Sequence, residues 1–343
     1  MNALYAHGAK DLRLEPCAPE ATGPGQVRIA LARGGICGSD LHYYNHGGFG
    51  AVRLRQPMIL GHEVSGHLVE VGPGVEGLEP GELVAVSPSR PCGGCAYCLK
   101  GLPNHCENMR FYGSAMPFPH IQGAFRDELV AEARQCVSAE GLTPAEAAMA
   151  EPLSVGLHAI GRAGPVLGRR VLVTGCGPIG VLAVMAARRA GAGEIVATDI
   201  ADGVLDFARA AGADRVHNTA ADPEALAGDS AGKGSFDVLM ECSGAEAALS
   251  AGLAALRPRG IVVQLGLSGD MALPMMQITA KEIELRGSFR FHEEFATAVS
   301  MMRAGLIDVK PLLTHSFALA DYETAFRTAS DRSRAMKVQL KFA

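Results

Sequence analysis

The sequence predicts a two-domain α/β protein, in which a β-rich, barrel-like domain precedes a doubly wound parallel-sheet domain. The chain has 343 residues, enough for two hydrophobic cores. Short apolar or alternating stretches broken by Gly and Pro occupy the chain up to Ala150. From Val171 the pattern changes to strand, turn, helix, strand, which is typical of βαβ units.

The first domain is predicted from short strands. Alternating or apolar composition places strands at 26–32, 66–71 and 82–86. Near Thr143 the pattern becomes helical, which indicates that the β-rich part ends there. We therefore expect a first domain over 1–155, containing a cysteine-rich lobe at about 88–108.

The second domain is predicted from near-continuous apolar strands separated by Ala-rich helical segments. These strands are expected at 171–174, 194–198, 236–240 and 261–265. Such strands fit a parallel sheet that is buried on both faces. We expect this domain over 156–290, with the stretch 220–234 as a surface connection. A helix and a last strand at 337–342 then return the chain to the first domain over 291–343.

Composition favours small-molecule chemistry. Hydrophobic residues make up 48% of the chain and the formal net charge is −5, without a long basic run. This balance speaks against a nucleic-acid or membrane-surface partner. The N-terminus has no signal-peptide pattern, and no apolar stretch approaches the ~20 residues of a membrane span. The sequence therefore predicts a cytoplasmic protein.

Four cysteines with C-x2-C-x2-C-x7-C spacing predict a structural zinc site. They are Cys92, Cys95, Cys98 and Cys106. Four thiolates saturate a tetrahedral zinc ion and leave no position for substrate, so this site fixes a loop and cannot catalyse. The alternative is a disulfide cluster, which the short spacings and the predicted reducing compartment disfavour. The remaining cysteines outside metal-ligand patterns are expected to be small core residues: Cys17, Cys136, Cys176 and Cys242.

A glycine-rich loop predicts a dinucleotide site. Gly175, Gly177 and Gly180 follow a predicted strand and open a helix at 181–190, where free backbone N–H groups attract a pyrophosphate. Asp199 ends the next strand, where a carboxylate can hold both ribose hydroxyls and would repel a 2′-phosphate. NAD is therefore favoured over NADP. The alternative is an ordinary glycine turn with a solvated Asp.

A second metal site is suggested by Cys37, His62 and an acid, either Glu63 or Glu151. These residues supply the thiolate, imidazole and carboxylate of a catalytic zinc with one open position. Taken singly, Cys37 would be interpreted as a buried thiol and His62 as a core histidine.

The chain resembles the zinc-dependent medium-chain alcohol and polyol dehydrogenases over its whole length, in particular the sorbitol dehydrogenase-like branch. The motifs that carry the resemblance are 35–40, 61–63, the four-cysteine lobe, 150–153 and 175–180. Further segments are similar to the L-idonate 5-dehydrogenases within that branch, namely 41–44, 109–116, 118–120 and 286–291. The resemblance implies a GroES-like catalytic domain, a Rossmann nucleotide-binding domain, two zinc ions per chain and a homotetramer.

The resemblance also implies site residues. Cys37, His62 and Glu63 or Glu151 surround the catalytic zinc, and the two acids can exchange with water. Ser39 accepts the hydroxyl proton and His42 relays it, although they could be a turn serine and a surface histidine. Tyr43 contacts the substrate. The implied cofactor contacts are Gly175, Gly177, Pro178, Ile179, Gly180, Asp199, Leu265, Gly266, Leu267, Ser288, Phe289 and Arg290. One departure is that no arginine follows Asp199, which weakens the expected cofactor affinity.

The expected reaction is the NAD-linked oxidation of a secondary alcohol in a sugar acid or polyol, with L-idonate to 5-keto-D-gluconate as the specific hypothesis. Sorbitol, xylitol and L-threonine are alternative substrates, and a non-catalytic, nucleotide-sensing protein is the alternative of a different class. A substrate carboxylate needs a cationic or multi-donor partner. Arg110 and Arg290 are the candidates, with His120 as a further donor, unless these are surface charges.

Overall fold

The chain folds into two compact units. The structure is a computed structural model, which describes residues 1–267 and 269–342. The first unit comprises Met1–Glu151, Phe295–Asp331 and the chain from Lys337 onward. The second comprises Pro152–Glu294 and Arg332–Met336. The predicted return range 291–343 differs from this division, because the return begins at Phe295 and residues 332–336 cluster with the second unit. The last residue of the predicted range lies outside the described residues.

The first unit is dominated by strands. In chain order its early elements are β1 Asn2–Gly8, β2 Asp11–Pro16, β3 Gln26–Gly35, α1 Gly38–His46, β4 Gly48–Phe49, β5 Val52–Arg53, β6 Met58–Ile59, β7 Glu63–Val71, β8 Leu83–Val86, β9 Ser89–Arg90, α2 Ala96–Leu99, β10 Arg110–Phe111, β11 Glu128–Glu132, β12 Cys136–Ser138 and α3 Pro144–Ala147. Helix α4, Ala150–Ala163, follows them.

The second unit alternates strands and helices. Its elements are β13 Arg170–Thr174, α5 Pro178–Arg189, β14 Glu194–Asp199, α6 Asp202–Ala210, β15 Arg215–Asn218, α7 Ala227–Ser230, β16 Phe236–Glu241, α8 Glu246–Ala255, β17 Leu256–Gln264, α9 Met275–Ala280 and β18 Glu284–Gly287. The chain continues with α10 Glu294–Arg303, β19 Leu313–Ala318, α11 Tyr322–Ser330 and β20 Lys337–Lys341.

A seven-stranded sheet organises the first unit, in the order β12-β8-β7-β3-β20-β19, with β11 also pairing with β3. Strand β20 is antiparallel to β3, so the end of the chain closes on a strand formed near its beginning. Alternate residues of β3, such as Val27, Ile29 and Leu31, are buried, as the period-two pattern of this stretch predicts.

A six-stranded parallel sheet forms the second unit, in the order β15-β14-β13-β16-β17-β18. The order reverses between β13 and β16, which is the arrangement of a doubly wound dinucleotide-binding fold. Val171–Val173 and Ile195–Ala197 are buried on both faces. The predicted fold class, a β-rich domain with a doubly wound parallel-sheet domain, is confirmed.

The sequence missed several elements of this fold. Strands β15 and β18, at the two edges of the parallel sheet, lie outside the four strands predicted for it. Strand β19, which pairs in parallel with β20, was not predicted, because its residues are half-buried or exposed and carry no clear apolar pattern. The stretch 220–234, expected as a plain surface connection, contains α7, whose Asp229 is 9% exposed and pairs with Arg170 and Arg215. In the described residues, no helix is both long and apolar enough to cross a bilayer.

Candidate active site

Cys37 and His62 meet at one end of two paired strands. Gly35 at the end of β3 lies opposite Glu63 at the start of β7 in an antiparallel register. Cys37 follows β3 by two residues and precedes α1, while His62 comes directly before β7. The antiparallel register of β3 and β7 thus places Cys37 close to His62 and Glu63, although Cys37 and Glu63 are 26 positions apart in the sequence.

The side chains of Cys37, His62 and Glu63 form a cluster in which His62 and Glu63 are buried and Cys37 is half-buried. Their ligand atoms lie within 4.8 Å of one another. His62 is 5% exposed, and its Nδ1 faces Asp40 Oδ1 at 3.8 Å. Burial opposes a charge on His62, but Asp40 and Cys37 outweigh it and raise the pKa of the imidazole well above its ordinary value. The pocket therefore favours positive charge at this position.

Asp40 is held rigidly behind His62. Its carboxylate accepts hydrogen bonds from the backbone N–H groups of Cys37 (3.0 Å) and Gly61 (3.1 Å), and its side chain is fully buried. Burial raises the pKa of Asp40. A carboxylate facing the second ring nitrogen of a histidine is the usual support of a metal-binding imidazole.

Glu63 is engaged by a lysine that sequence reasoning did not identify. Lys337 Nζ lies 2.8 Å from both carboxylate oxygens of Glu63 and 3.3 Å from the carbonyl oxygen of Ile36. Both side chains are almost completely buried. Although burial disfavours its charge, Glu63 raises the pKa of Lys337. The ammonium group therefore competes with any metal for Glu63.

Glu151 is the second acid near His62. It is 6% exposed at the start of α4, and burial raises the pKa of its carboxyl to about 7, an effect that the nearby Glu63 carboxylate reinforces and His62 opposes. The sulfur of Cys37, the ring nitrogen of His62 and the carboxylate of Glu63 are donors that fit zinc, whose ligand atoms typically lie roughly 3–4 Å apart around the ion.

The residues expected to move protons lie on α1. Ser39 is half-buried in its first turn, and the exposed His42 follows three residues later on the same face. Burial and the neighbouring His46 lower the pKa of His42, so the ring is neutral near pH 7. Tyr43 is buried, and its hydroxyl accepts a hydrogen bond from the backbone N–H of Ala115 (3.0 Å).

The four-cysteine lobe also converges. The sulfurs of Cys92, Cys95, Cys98 and Cys106 lie within 4.8 Å of one another. The Sγ of Cys106 accepts from the backbone N–H groups of Cys92 (3.2 Å) and Asn108 (3.3 Å). A backbone hydrogen bond from Gly94 is the largest of several that lower the pKa of Cys92 to about 6. All nine cysteines are free, so the lobe offers four sulfur donors, the set that holds a structural zinc when all four are thiolates.

The glycine loop joins β13 to α5 in the expected form. Gly175 has φ +85°, and a Cβ there would meet Ser243 at 2.7 Å. A Cβ on Gly180 would lie 1.8 Å from the carbonyl oxygen of Gly175. At Gly177, by contrast, a Cβ would contact only Arg332 Nη2, at 3.8 Å. The first and third glycines are thus required for packing, and the second leaves the backbone open to a ligand.

Pro178 and Ile179 begin α5 directly after Gly177. Asp199 ends β14, and its side chain is 3% exposed. Asp199 accepts hydrogen bonds from the backbone N–H groups of Cys176 (2.7 Å), Ile200 (2.8 Å) and Ala201 (3.1 Å).

A buried acid that sequence reasoning missed, Glu241, connects three strand ends at this edge. It accepts from the backbone N–H groups of Ser243 (2.8 Å) and Gly244 (3.0 Å) and from the Gln264 side chain (2.6 Å). The Glu241 carbonyl oxygen accepts from Leu265 and Gly266, and Leu267 is exposed. The position of this acid at the end of an apolar strand was the signal that could have identified it.

The predicted nicotinamide segment follows β18. The backbone N–H of Ser288 donates to the Gln264 carbonyl oxygen (2.9 Å). Arg290 has φ +57°, and its guanidinium lies 4.8 Å from the centre of the Phe289 ring.

Arg110 and His120 come together elsewhere in the first unit. They line a cavity of about 180 Å³ that also includes Glu20, Arg90, Tyr112 and Arg126. His120 Nε2 accepts a hydrogen bond from the Arg55 backbone N–H (2.9 Å).

Phe111, the strand neighbour of Arg110, packs on His62 at 5.6 Å between ring centres. Because neighbouring strand residues point to opposite faces, Arg110 is directed away from His62.

Comparison with known proteins agrees with these features. Residues 23–141 match the alcohol dehydrogenase GroES-like domain, and residues 178–304 match the zinc-binding dehydrogenase domain. The L-idonate 5-dehydrogenase (NAD(P)(+)) of Escherichia coli K12 is 45% identical over 320 residues, covering 92% of this chain and 91% of the relative. Human sorbitol dehydrogenase is 36% identical over 349 residues, covering 99% and 95%.

A solved structure is similarly close. The crystal structure of Escherichia coli L-idonate 5-dehydrogenase has a TM-score of 0.95 at 42% identity, covering 99% of this chain and 98% of that one. Zinc and an NAD(P) cofactor are thus supported at the level of the family. The chain is an enzyme that belongs to the zinc-dependent medium-chain alcohol and polyol dehydrogenases.

Proposed function

We propose that the protein oxidises a secondary alcohol of a sugar acid with NAD, and that L-idonate, converted to 5-keto-D-gluconate, is its substrate. The observation that carries this proposal is the cluster of the half-buried Cys37 with the buried His62 and Glu63, in a chain 45% identical to an L-idonate 5-dehydrogenase. Sorbitol is the second candidate, because sorbitol dehydrogenases are up to 37% identical over almost the whole chain. Xylitol and L-threonine are more distant alternatives.

We propose two zinc ions per chain. Cys37 and His62 hold the catalytic ion with Glu63 or Glu151, and Cys92, Cys95, Cys98 and Cys106 hold the structural one. Because Lys337 occupies Glu63, direct binding by Glu63 requires that this ion pair loosen. A non-catalytic, nucleotide-sensing protein that had lost the catalytic ion would contain one zinc, so metal analysis of the purified protein distinguishes the two functions.

The mechanism assigns tasks to residues of α1 and its surroundings. When bound, zinc supplies Lewis-acid polarisation of an alcohol oxygen at neutral pH, and the nicotinamide supplies the hydride acceptor. Ser39 accepts the hydroxyl proton, and His42, neutral near pH 7 and exposed, passes it to solvent. Tyr43 orients the substrate, while Phe111 covers His62 and limits access of water.

Residues along the carboxyl edge of the parallel sheet would hold the nucleotide. Gly175, Gly177, Pro178, Ile179 and Gly180 receive the pyrophosphate, and Asp199 receives the adenosine ribose. Leu265, Gly266, Leu267, Ser288, Phe289 and Arg290 border the nicotinamide. We also propose that the protein is cytoplasmic and forms a homotetramer. Light scattering of the purified protein tests the oligomeric state.

The substrate assignment is tested by NAD reduction with L-idonate, D-gluconate, sorbitol, xylitol and L-threonine. We expect the highest kcat/KM for L-idonate. Faster turnover of sorbitol would refute the sugar-acid assignment while leaving the dehydrogenase class intact.

Recognition of the carboxylate is tested by two arginine variants. Because Arg110 is directed away from His62, we expect the larger effect at Arg290. Arg290→Ala should lower kcat/KM for L-idonate more than for sorbitol, by roughly 2–4 kcal/mol of transition-state stabilisation if the pair is buried. Arg110→Ala is the matched control. Equal losses on both substrates would indicate general positioning instead.

A further inference from the structure

Arg332 reaches the carboxylate at the end of β14 from a distant part of the chain. Its Nη2 lies 3.1 Å from Asp199 Oδ2, although the two residues are 133 positions apart. The Arg332 side chain is 59% exposed, and that of Asp199 is 3% exposed. The guanidinium therefore lies at the surface of the second unit, directly over a buried carboxylate.

Arg332 is not needed to hold Asp199 in place. Three backbone N–H groups, of Cys176, Ile200 and Ala201, already fix that carboxylate at 2.7–3.1 Å. Arg332 donates to Oδ2, the oxygen that the Cys176 N–H also reaches. Because the Arg332 side chain is 59% exposed, solvent screens this contact and limits what it adds to stability. The position of Arg332 therefore indicates a function other than holding the Asp199 carboxylate in place.

Arg332 also borders the open part of the glycine loop. A Cβ on Gly177 would lie 3.8 Å from Arg332 Nη2, and the Ser333 carbonyl oxygen is equally close to a Cβ position on Gly203. The segment 332–333 thus runs along the starts of α5 and α6, beside the site proposed for the pyrophosphate and ribose. Ile200, the first residue of the segment after Asp199 that lacks an arginine, is 67% exposed.

We infer that Arg332 is a specificity-determining residue that lets the nucleotide site accept a 2′-phosphate, so that the enzyme uses NADP as well as NAD. Asp199 alone would repel a 2′-phosphate. Arg332 balances that charge, and its planar donors suit a phosphate in two-point contact. Its long, exposed side chain can move from Asp199 to the phosphate without disturbing the backbone donors of Asp199. This inference rests on the nucleotide site of the proposed function.

The test compares two ligands that differ only in the 2′-phosphate, adenosine 2′,5′-bisphosphate and 5′-AMP, by calorimetry on the full-length protein. Arg332→Ala should weaken bisphosphate binding by about tenfold or more and change 5′-AMP binding far less. Arg334→Ala, which removes the same charge from the same exposed segment, is the matched control and should leave the ratio unchanged. Arg332→Lys should retain part of the preference, since it keeps the charge without the planar donors.

A double-mutant cycle with Asp199 makes the assignment sharper. Asp199→Ala should strengthen bisphosphate binding, and this gain should disappear when Arg332→Ala is added. Equal weakening of both ligands by Arg332→Ala, or no weakening at all, overturns the inference while leaving the nucleotide site in place. A wild-type protein that binds neither ligand overturns the inference and the proposed nucleotide site together.

Discussion

The ion pair between Lys337 and Glu63 places two opposite charges where both are buried. The Lys337 side chain is 3% exposed and that of Glu63 is 1% exposed. Each charge loses hydration, and the short contacts with the partner compensate for that loss. Removal of one partner therefore leaves an uncompensated charge in the interior.

We predict that Lys337→Met lowers the free energy of unfolding of the zinc-free protein by about 3–5 kcal/mol. Lys341→Met is the matched control, because Lys341 is an exposed residue of the same strand and its loss should stay within about 0.5 kcal/mol. Addition of Glu63→Gln should restore part of the loss. Denaturant unfolding measures these differences, and equal destabilisation by the two lysine variants would contradict a special role of the pair.

At the scale of single residues, the sequence identified the candidate metal ligands and the glycine loop. It did not identify the side chains that approach these sites from elsewhere in the chain. Cys37, His62 and Gly175 lie in short motifs, so the local sequence contains the signal. Lys337 and Arg332 act on residues 274 and 133 positions away. Nothing within a few residues of either one marks it as a site residue, because only the folded chain brings the partners together.

The start of α10 is stabilised by an acid at its N-terminus. Glu294 accepts hydrogen bonds from His158 Nδ1 of α4 (2.9 Å) and from the backbone N–H of His292 (2.8 Å). Burial alone would raise the pKa of Glu294, but these hydrogen bonds lower it to about 2. A lowered carboxyl pKa adds stability that is complete above the unfolded pKa of about 4.3.

We predict that Glu294→Gln costs about 1 kcal/mol at neutral pH, a modest value because the side chain is partly exposed. The difference in Tm from wild type should shrink as the pH falls below about 4.3 and vanish near pH 2, where the native carboxylate also gains a proton. The exposed Glu224→Gln is the control for loss of one negative charge. A difference that stays constant across this range would exclude the linkage.

Elements with strong apolar periodicity were the predictable ones. Strands β3, β13, β14 and β16 and helix α5 overlap the predicted ranges, because each buries one or both faces. Strand β19 and helix α7 escaped prediction for the opposite reason. Their stability comes from partners elsewhere in the chain: β20 for β19, and Arg170 and Arg215 for Asp229 of α7.

At the scale of the whole molecule, the candidate metal sites and the candidate nucleotide site lie in different units. Both metal-ligand clusters lie in the first unit and the glycine loop lies in the second. The order of motifs along the chain predicted this division. It did not predict that residues 332–336 belong to the second unit, since the sequence Arg-Ser-Arg-Ala-Met carries no pattern that separates it from its neighbours.

The two candidate zinc sites differ in burial and in ligand chemistry, so loss of a ligand from each should have different consequences. Cys37→Ser should remove one zinc ion and almost all turnover while the Tm changes little, because the sheet around His62 is built from backbone pairing. Cys98→Ser should also remove one zinc ion, but it should lower the Tm or the oligomeric state, since the lobe has few buried residues of its own to keep it folded. Metal analysis, thermal unfolding and light scattering on the same preparations check both expectations. A variant that loses both ions at once would show that the two clusters depend on each other.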